Sequence, residues 1–309
     1  MNSIASLAIT ALFGERFTAI HYEDVLIDPG PVFGRRRLLR YLKQSDKPIH
    51  AVFATHAHEE HVGNVVLSSE LTGAAIYGTE VTLNSLRQPE SLSWMRRVFI
   101  GQPLPAAHAD LRRAEGSLVT PRVQLNVIES PGHCTGHASL FDAARSILFA
   151  GDSFMHTIFT CPNKDVSSED WIATLERYEA LEIKTMVGTH GNVYSVDENV
   201  AWQTFVVKRT APSEMIRDKL LFLRWAQDVV AEGERRSLPY GVIEACLFPW
   251  QRWWSWQNWF TDESGRLFSG GEFSRTQFVR SLSRTPQQVP PRFPAFVRWS
   301  RWLRRLMSG

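Results

Sequence analysis

Short apolar runs, each ending in a turn, set the rhythm of the first two hundred residues. Residues 17–22 and 25–27 are separated only by Glu23-Asp24, and 138–141 and 146–150 only by four residues, so each pair predicts a β-hairpin. Val123, Leu125 and Val127 alternate through 123–129 as strand residues should, and 49–54, 147–150 and 185–187 read as further strands. Residues 3–13 look faintly like a signal peptide, but no Lys or Arg precedes the run and the first basic residue is Arg16. They are read as the first strand of the sheet. Ser167-Ser168-Glu169-Asp170 is a capping-box pattern opening a helix with Trp171, Leu175 and Tyr178 on one face. Residues 211–231 predict another helix and 277–282 part of a third, with no internal repeat and no low-complexity tract.

Polar residues cluster where these runs end. Thr55-His56-Ala57-His58-Glu59-Glu60-His61 follows the 49–54 run and crowds three imidazoles and carboxylates into one turn. His56 and His58, two apart, point the same way from an extended segment, while Glu60 and His61 come from the turn and can face a second ion. Imidazole and carboxylate together suit zinc, and also iron or manganese. Four further pieces end strand-like runs: Val25-Leu26-Ile27-Asp28-Pro29-Gly30, Pro131-Gly132-His133-Cys134-Thr135-Gly136-His137, Gly151-Asp152 and Gly188-Thr189-His190-Gly191. Each is weak alone; the five in this order are a strong signature.

This combination resembles the metallo-β-lactamase superfamily over roughly residues 1–200. The resemblance implies an α/β chain with a four-layer αββα fold, here with a C-terminal helical extension. It implies two divalent ions, zinc first among them: His56, His58 and His133 on one, Glu60, His61 and His190 on the other, and Asp152 bridging. Asp28 falls at a turn that supports the site, and His137 at a position behind the ligands. The family usually has Asp where this chain has Glu60. The extra methylene adds about 1.5 Å against a ligand-distance tolerance of roughly 0.2 Å, so either the loop shifts, or Glu60 reaches the second ion in a different geometry, or it stands behind the ligands and that ion binds weakly; ligation with a shifted loop is the expectation.

The implied chemistry is hydrolysis. A water shared by two ions about 3.5–4 Å apart loses its proton near neutral pH, one ion polarises the scissile group, and Asp152 and Glu60 carry the catalytic carboxylate roles. True β-lactamases of the superfamily place Cys at the Asp152 position or lack that carboxylate, which argues against lactam cleavage here. Lactonases usually carry Tyr three residues after the bridging Asp, where this chain has Met155 beside His156. No glutathione-binding pattern is evident. The expectation is a metal-dependent hydrolase of a small ester, thioester or lactone. The alternative is a metal-dependent ribonuclease with a basic C-terminal nucleic-acid-binding region.

Composition fits a globular enzyme: 309 residues with 44% hydrophobic and 21% charged content can bury a sizeable core. No apolar run has the length needed to span a bilayer. Three cysteines, Cys134, Cys161 and Cys246, are odd and sparse, so no disulfide framework is implied and a cytoplasmic setting is expected. Cys134 reads as a packing residue. The net charge of +2 hides a division near residue 200: 17 Lys plus Arg against 23 Asp plus Glu before it, and 17 against 9 after. Nine of the 11 tryptophans also lie beyond residue 200. Residues 1–200 are therefore read as the hydrolase domain and 201–309 as a basic, Trp-rich helical region that covers the sheet or lines the pocket.

At the terminus, Phe296, Trp299, Trp302, Leu303 and Leu306 recur at helical spacing among Arg298, Arg301, Arg304 and Arg305. Such a helix docks on the enzyme's own body or a second subunit, or lies peripherally on an anionic membrane, each basic residue contributing about 1 kcal/mol near the surface. The partners expected are thus a small-molecule substrate, a membrane surface or a second copy, with nucleic acid disfavoured. In vesicle sedimentation, weak binding that salt reduces and truncation after Pro291 removes, with catalysis intact, is the membrane outcome. Unfolding on truncation, with no vesicle binding by the full chain, makes the helix structural.

Overall fold

The computed structural model describes residues 5–10, 16–154, 164–197, 206–247 and 275–283. By contacts within the chain, Met1–Phe159 with Asp170–Leu220 forms one compact unit, and Thr160–Glu169 with Leu221–Gly309 a second. The Trp-rich run at 250–259, Met155, His156, Cys161 and the terminal amphipathic segment lie outside the described residues.

The first unit holds two sheets. One runs in sequence order through β1 (Ala5–Thr10), β2 (Arg16–Tyr22), β3 (Val25–Ile27), β4 (Ala51–Phe53), β5 (Ala75–Gly78) and β6 (Leu111–Arg113). Its first three strands pair antiparallel and β3 to β6 pair parallel. Parallel neighbours need crossover connections. These are supplied by α1 (Arg35–Gln44), then α2 (Glu59–Val62) with α3 (Val65–Thr72), then α4 (Glu80–Arg87) with α5 (Trp94–Phe99). The other sheet, in the order β13-β12-β11-β10-β9-β8-β7, comprises β7 (Ser117–Val119), β8 (Gln124–Glu129), β9 (Ala138–Asp142), β10 (Ile147–Gly151), β11 (Thr185–Gly188), β12 (Asn192–Ser195) and β13 (Val206–Lys208). The crossover between parallel β10 and β11 is α6 (Ser168–Glu179). The sheet thus continues past residue 200. Strand β13, by pairing with β12, places residues beyond 200 in the first unit, which runs to Leu220.

Strand periodicity builds the layers. Val25, Ile27, Ala51 and Phe53 face a core shared with Leu125, Leu140, Phe149 and Val187 of the second sheet. Their neighbours Leu26, Val52 and Ala54 face the opposite way, against Leu38 of α1, Val62 of α2, Val65 of α3 and Leu83 of α4. One residue of register would exchange these faces. On the outer face of the second sheet, Trp171, Leu175 and Tyr178 of α6 are fully buried, and the Tyr178 hydroxyl lies 2.6 Å from Ser139 Oγ of β9. The result is the four-layer αββα arrangement. Both expected hairpins form, with Tyr22 opposite Val25 and Ile147 opposite Asp142.

The second unit is helical among its described residues. It contains the later part of α7 (Pro212–Arg235), α8 (Tyr240–Leu247) and α9 (Arg275–Ser281). The Phe222 and Phe278 rings stack with centroids 6.3 Å apart, and a Cβ on Gly233 would meet Ile243 at 2.6 Å, so α7 and α8 pack closely. No described helix is long and apolar enough to cross a membrane.

A polar tie crosses between the sheets: the Tyr22 hydroxyl of β2 donates to Asp142 Oδ2 of β9 at 2.5 Å, and Arg145 Nη1 donates to the same oxygen at 2.8 Å. Burial works to raise the Asp142 carboxyl, but these donors outweigh it and hold it below its ordinary value. A depressed carboxylate contributes stability above its unfolded pKa, near 3.9, that is lost as pH falls through the lower folded value. Tyr22→Phe is expected to lower unfolding stability by about 1.5–3 kcal/mol at neutral pH. In denaturant titrations that difference should shrink below about pH 4.

Candidate metal centre

The histidines proposed as donors lie in the connections that follow strands, where the backbone has left the ladder and a side chain can turn toward the gap between the sheets. His56 and His58 follow β4, and His61 lies on α2, the short helix that comes next. His133 lies in the loop after β8, Asp152 directly after β10 and His190 after β11. Two glycines make the loops possible. A Cβ on Gly132 (φ 136) would stand 2.4 Å from the Trp171 backbone, and one on Gly151 (φ 55) would stand 2.6 Å from His137 Nε2.

The ring tautomers follow from counting protons. Asp28, held at φ 47 after β3, accepts from the Thr55 backbone N–H at 2.8 Å through Oδ1 and from the Thr55 hydroxyl at 2.7 Å through Oδ2. With its single proton committed to Asp28, Thr55 Oγ1 can only accept from His56 Nδ1, 2.9 Å away. The lone pair of His56 then lies on Nε2, an atom that is buried with no hydrogen-bond partner. Asp28 Oδ2 also lies 3.2 Å from His61 Nδ1, which turns His61 Nε2 toward Asp152. His137 is different. Its Nε2 accepts from the Asp152 backbone N–H at 3.1 Å, so its Nδ1 donates to Ser130 Oγ at 2.8 Å and neither nitrogen is left for an ion. It holds Asp152 in place.

Among the described residues donor atoms gather in three groups: two have no residue in common, and the third, Asp28 with His56 and His61, shares a histidine with each. His56, His58 and His133, together with Cys134, have ligand atoms all within 4.8 Å of one another, as do His61, Asp152 and His190. Asp152 joins them: its Oδ2 lies 3.1 Å from His190 Nε2, 3.3 Å from His61 Nε2 and 3.6 Å from His133 Nε2. His58 Nδ1 and His133 Nε2 are 3.0 Å apart. Ligands about 2.0–2.1 Å from one tetrahedral ion stand roughly 3.3–3.4 Å from each other, so these spacings suit shared ions. Thr189 Oγ1 donates to the other Asp152 oxygen, leaving Oδ2 to face both groups.

The protonation states suit metal as well. Burial, together with the neighbouring imidazoles, pushes the His56 and His133 pKa values well below the ordinary value, giving the neutral rings that ions require. Burial opposes ionisation of Asp152, but His190 and His61 outweigh it and hold the carboxyl well below the usual range. Burial likewise opposes a proton on His61, yet Asp152 and Asp28 hold its pKa well above the ordinary value. A cation is what this pair of carboxylates calls for. A buried unpartnered imidazole nitrogen, neutral rings and an ionised carboxylate facing both groups form a set that divalent metal fits.

Glu60 stands outside these groupings. Adjacent helix residues project about 100° apart, so on α2 His61 reaches toward Asp152 while Glu60 Oε1 comes to 3.9 Å from His58 Nδ1. Its Oε2 is buried with no hydrogen-bond partner. Burial, with Glu59 adding to it, raises the Glu60 carboxyl above its ordinary value. The preceding Glu59 points away and forms a two-point ion pair with Arg96 of α5, at 2.5 and 2.6 Å, which anchors the metal-side helix. The structure also supplies roles that the motifs do not announce: Thr55 and Thr189 occur within them, but only the folded chain gives each hydroxyl its carboxylate.

Residues 23–190, more than half of the chain, match the sequence pattern of the metallo-beta-lactamase superfamily. A protein of Aquifex aeolicus described as uncharacterized is 30% identical over 131 residues, 42% of this chain and 59% of that protein. Hydroxyacylglutathione hydrolase of Aeromonas hydrophila subsp. hydrophila is 26% identical over 130 residues, 42% of this chain and 41% of the enzyme. The chain therefore matches only about half the length of these curated relatives. A beta-lactamase domain protein from Burkholderia ambifaria shares the fold, with a TM-score of 0.60 at 15% identity over 90% of this chain and 85% of that one. The ordered motifs, the two sheets and the family match converge: the chain belongs to the metallo-beta-lactamase superfamily, whose members are generally metal-dependent hydrolases.

Proposed function

We propose that this protein is a dinuclear metal-dependent hydrolase of a small carboxylic ester, thioester or lactone. The observation that carries the reading is Asp152 Oδ2, one carboxylate oxygen within 3.1–3.6 Å of histidine nitrogens from both donor groups. In this reading His56, His58 and His133 hold one divalent ion, His61 and His190 the other, and Asp152 serves both, with zinc the expected metal and iron or manganese admitted by the same donors. When bound, the ions supply an activated water and polarise the scissile carbonyl. The Aeromonas relative, a hydroxyacylglutathione hydrolase, favours a thioester within this class.

The chain's own residues do the rest. Asp28 fixes one ring in each group, directly for His61 and through Thr55 for His56, so both present Nε2 without reorganisation. Glu60 Oε2 is the proton-handling atom. A carboxyl raised by burial is suited to take a proton from the attacking water and return it to the leaving oxygen or sulfur as the acyl bond breaks.

Elemental analysis of purified protein should find close to two divalent ions per chain. His137→Ala, which removes a support, is expected to cost about 10–100-fold in metal affinity, and Asp152→Ala more than that; equal losses would count against a shared Asp152. Chelation should abolish turnover of a panel of esters, thioesters and lactones, and added metal should restore it. Glu60→Gln should lower kcat by about 10²–10⁴-fold while metal content stays at the wild-type level. Activity in metal-free protein defeats the reading, and cleavage of RNA with no ester turnover replaces it with the nuclease alternative.

A further inference from the structure

Cys134 follows His133 in the β8–β9 loop and is 5% exposed. Packing is the role its sequence position suggests, yet the fold gives it other neighbours. Its sulfur and one donor nitrogen from each of His56, His58 and His133 all lie within 4.8 Å of one another. A nitrogen and a sulfur on one tetrahedral zinc stand about 3.6 Å apart, and about 4.4 Å at the extreme, given bonds near 2.1 and 2.3 Å. Rotation about the single cysteine side-chain torsion between its staggered wells moves the sulfur by more than the difference.

The second observation is independent of the thiol. His56 is fully buried, its Nδ1 is committed to Thr55, and its Nε2 has no hydrogen-bond partner. A buried lone pair of this kind is costly unless something electron-poor meets it, and His56 belongs to the same cluster as the Cys134 sulfur. The three imidazoles of that cluster bring no negative charge, and Asp152 is divided with His61 and His190. An anionic sulfur would complete the first position on its own.

We propose that Cys134, as thiolate, is a protein ligand of the ion held by His56, His58 and His133, making this position the tighter and more thiophilic of the two. The proposal rests on the metal-hydrolase reading in requiring an ion there. The thiol proton leaves to solvent as the ion binds, and the soft donor favours zinc or cobalt over harder ions. Cys134→Thr should therefore weaken binding of the first ion by at least about tenfold, since loss of a mere support to a ligand already costs that much.

The test is optical and needs no turnover. One equivalent of Co(II) added to metal-depleted full-length protein should give visible ligand-field bands together with a near-ultraviolet thiolate-to-cobalt charge-transfer band. Cys134→Thr should keep the former and lose the latter, whereas a Cys161→Ser, Cys246→Ser double variant should keep both. X-ray absorption of wild-type zinc protein, which does not depend on any variant folding, should show one sulfur at about 2.3 Å. Ligand-field bands with no charge-transfer band and no sulfur in the zinc shell overturn the proposal and leave the hydrolase reading standing. Failure to take up cobalt at all overturns both.

Discussion

The Asp28 carboxylate is the constraint on which the site depends. Both oxygens are buried, and both are spoken for by donors from one short stretch of chain, residues 55–61: the Thr55 amide, the Thr55 hydroxyl and His61 Nδ1. A buried carboxylate with fewer donors would be costly to keep. With them it becomes a template that fixes two imidazole rings of different donor groups through one side chain. The residue pays a conformational cost at φ 47, in the left-handed region that few residues other than glycine visit readily. The strain is small beside the alternative, in which His56 and His61 each choose between two tautomers and two ring orientations.

The opposite wall of the site is organised by the same logic around Asp152. Its side chain is fixed by Thr189, its backbone amide by His137, and His137 in turn by Ser130. Beneath lies a buried chain of hydroxyls in which Ser130, Ser139, Tyr178 and Ser153 stand 2.6–2.9 Å from their neighbours. That network joins β8, β9 and α6 to the turn carrying Asp152. Such chains rigidify only when every member is satisfied, and here each of the four hydroxyls has a partner. The helix that completes the network is the one opened by the capping-box pattern, so local sequence, layer packing and donor placement meet in α6.

Much of this was legible in the residues themselves. Strand ends precede each motif because sheets, whether the pairing is parallel or antiparallel, place loops, and hence functional groups, at strand termini, and period-2 or short apolar runs mark those strands. The hairpins at 22–25 and 142–147 and the buried face of α6 were likewise local. What eluded the pattern depends on the third dimension. Glu60 and His61 are adjacent in sequence but diverge on a helix only four residues long, which a turn reading does not distinguish. Thr55 and Thr189 are ordinary residues until a carboxylate from 27 or 37 positions away meets them. Strand β13 belongs to the second sheet although it follows the shift in charge, because pairing with β12 and not composition decides membership.

The donors are divided between the two sheets: His56, His58 and His61 arise beside the first, and His133, Asp152 and His190 beside the second. Phe53, Leu140 and Phe149 lie in the core that separates them. Metal–ligand distances tolerate only about 0.2 Å, while a close-packed core answers even a one-methylene change in volume with shifts of side chain and backbone. The inter-sheet core is therefore a spacer as well as a source of stability. Sequence drift among its apolar residues can retune how far the donors of one sheet stand from those of the other, while every donor stays unchanged.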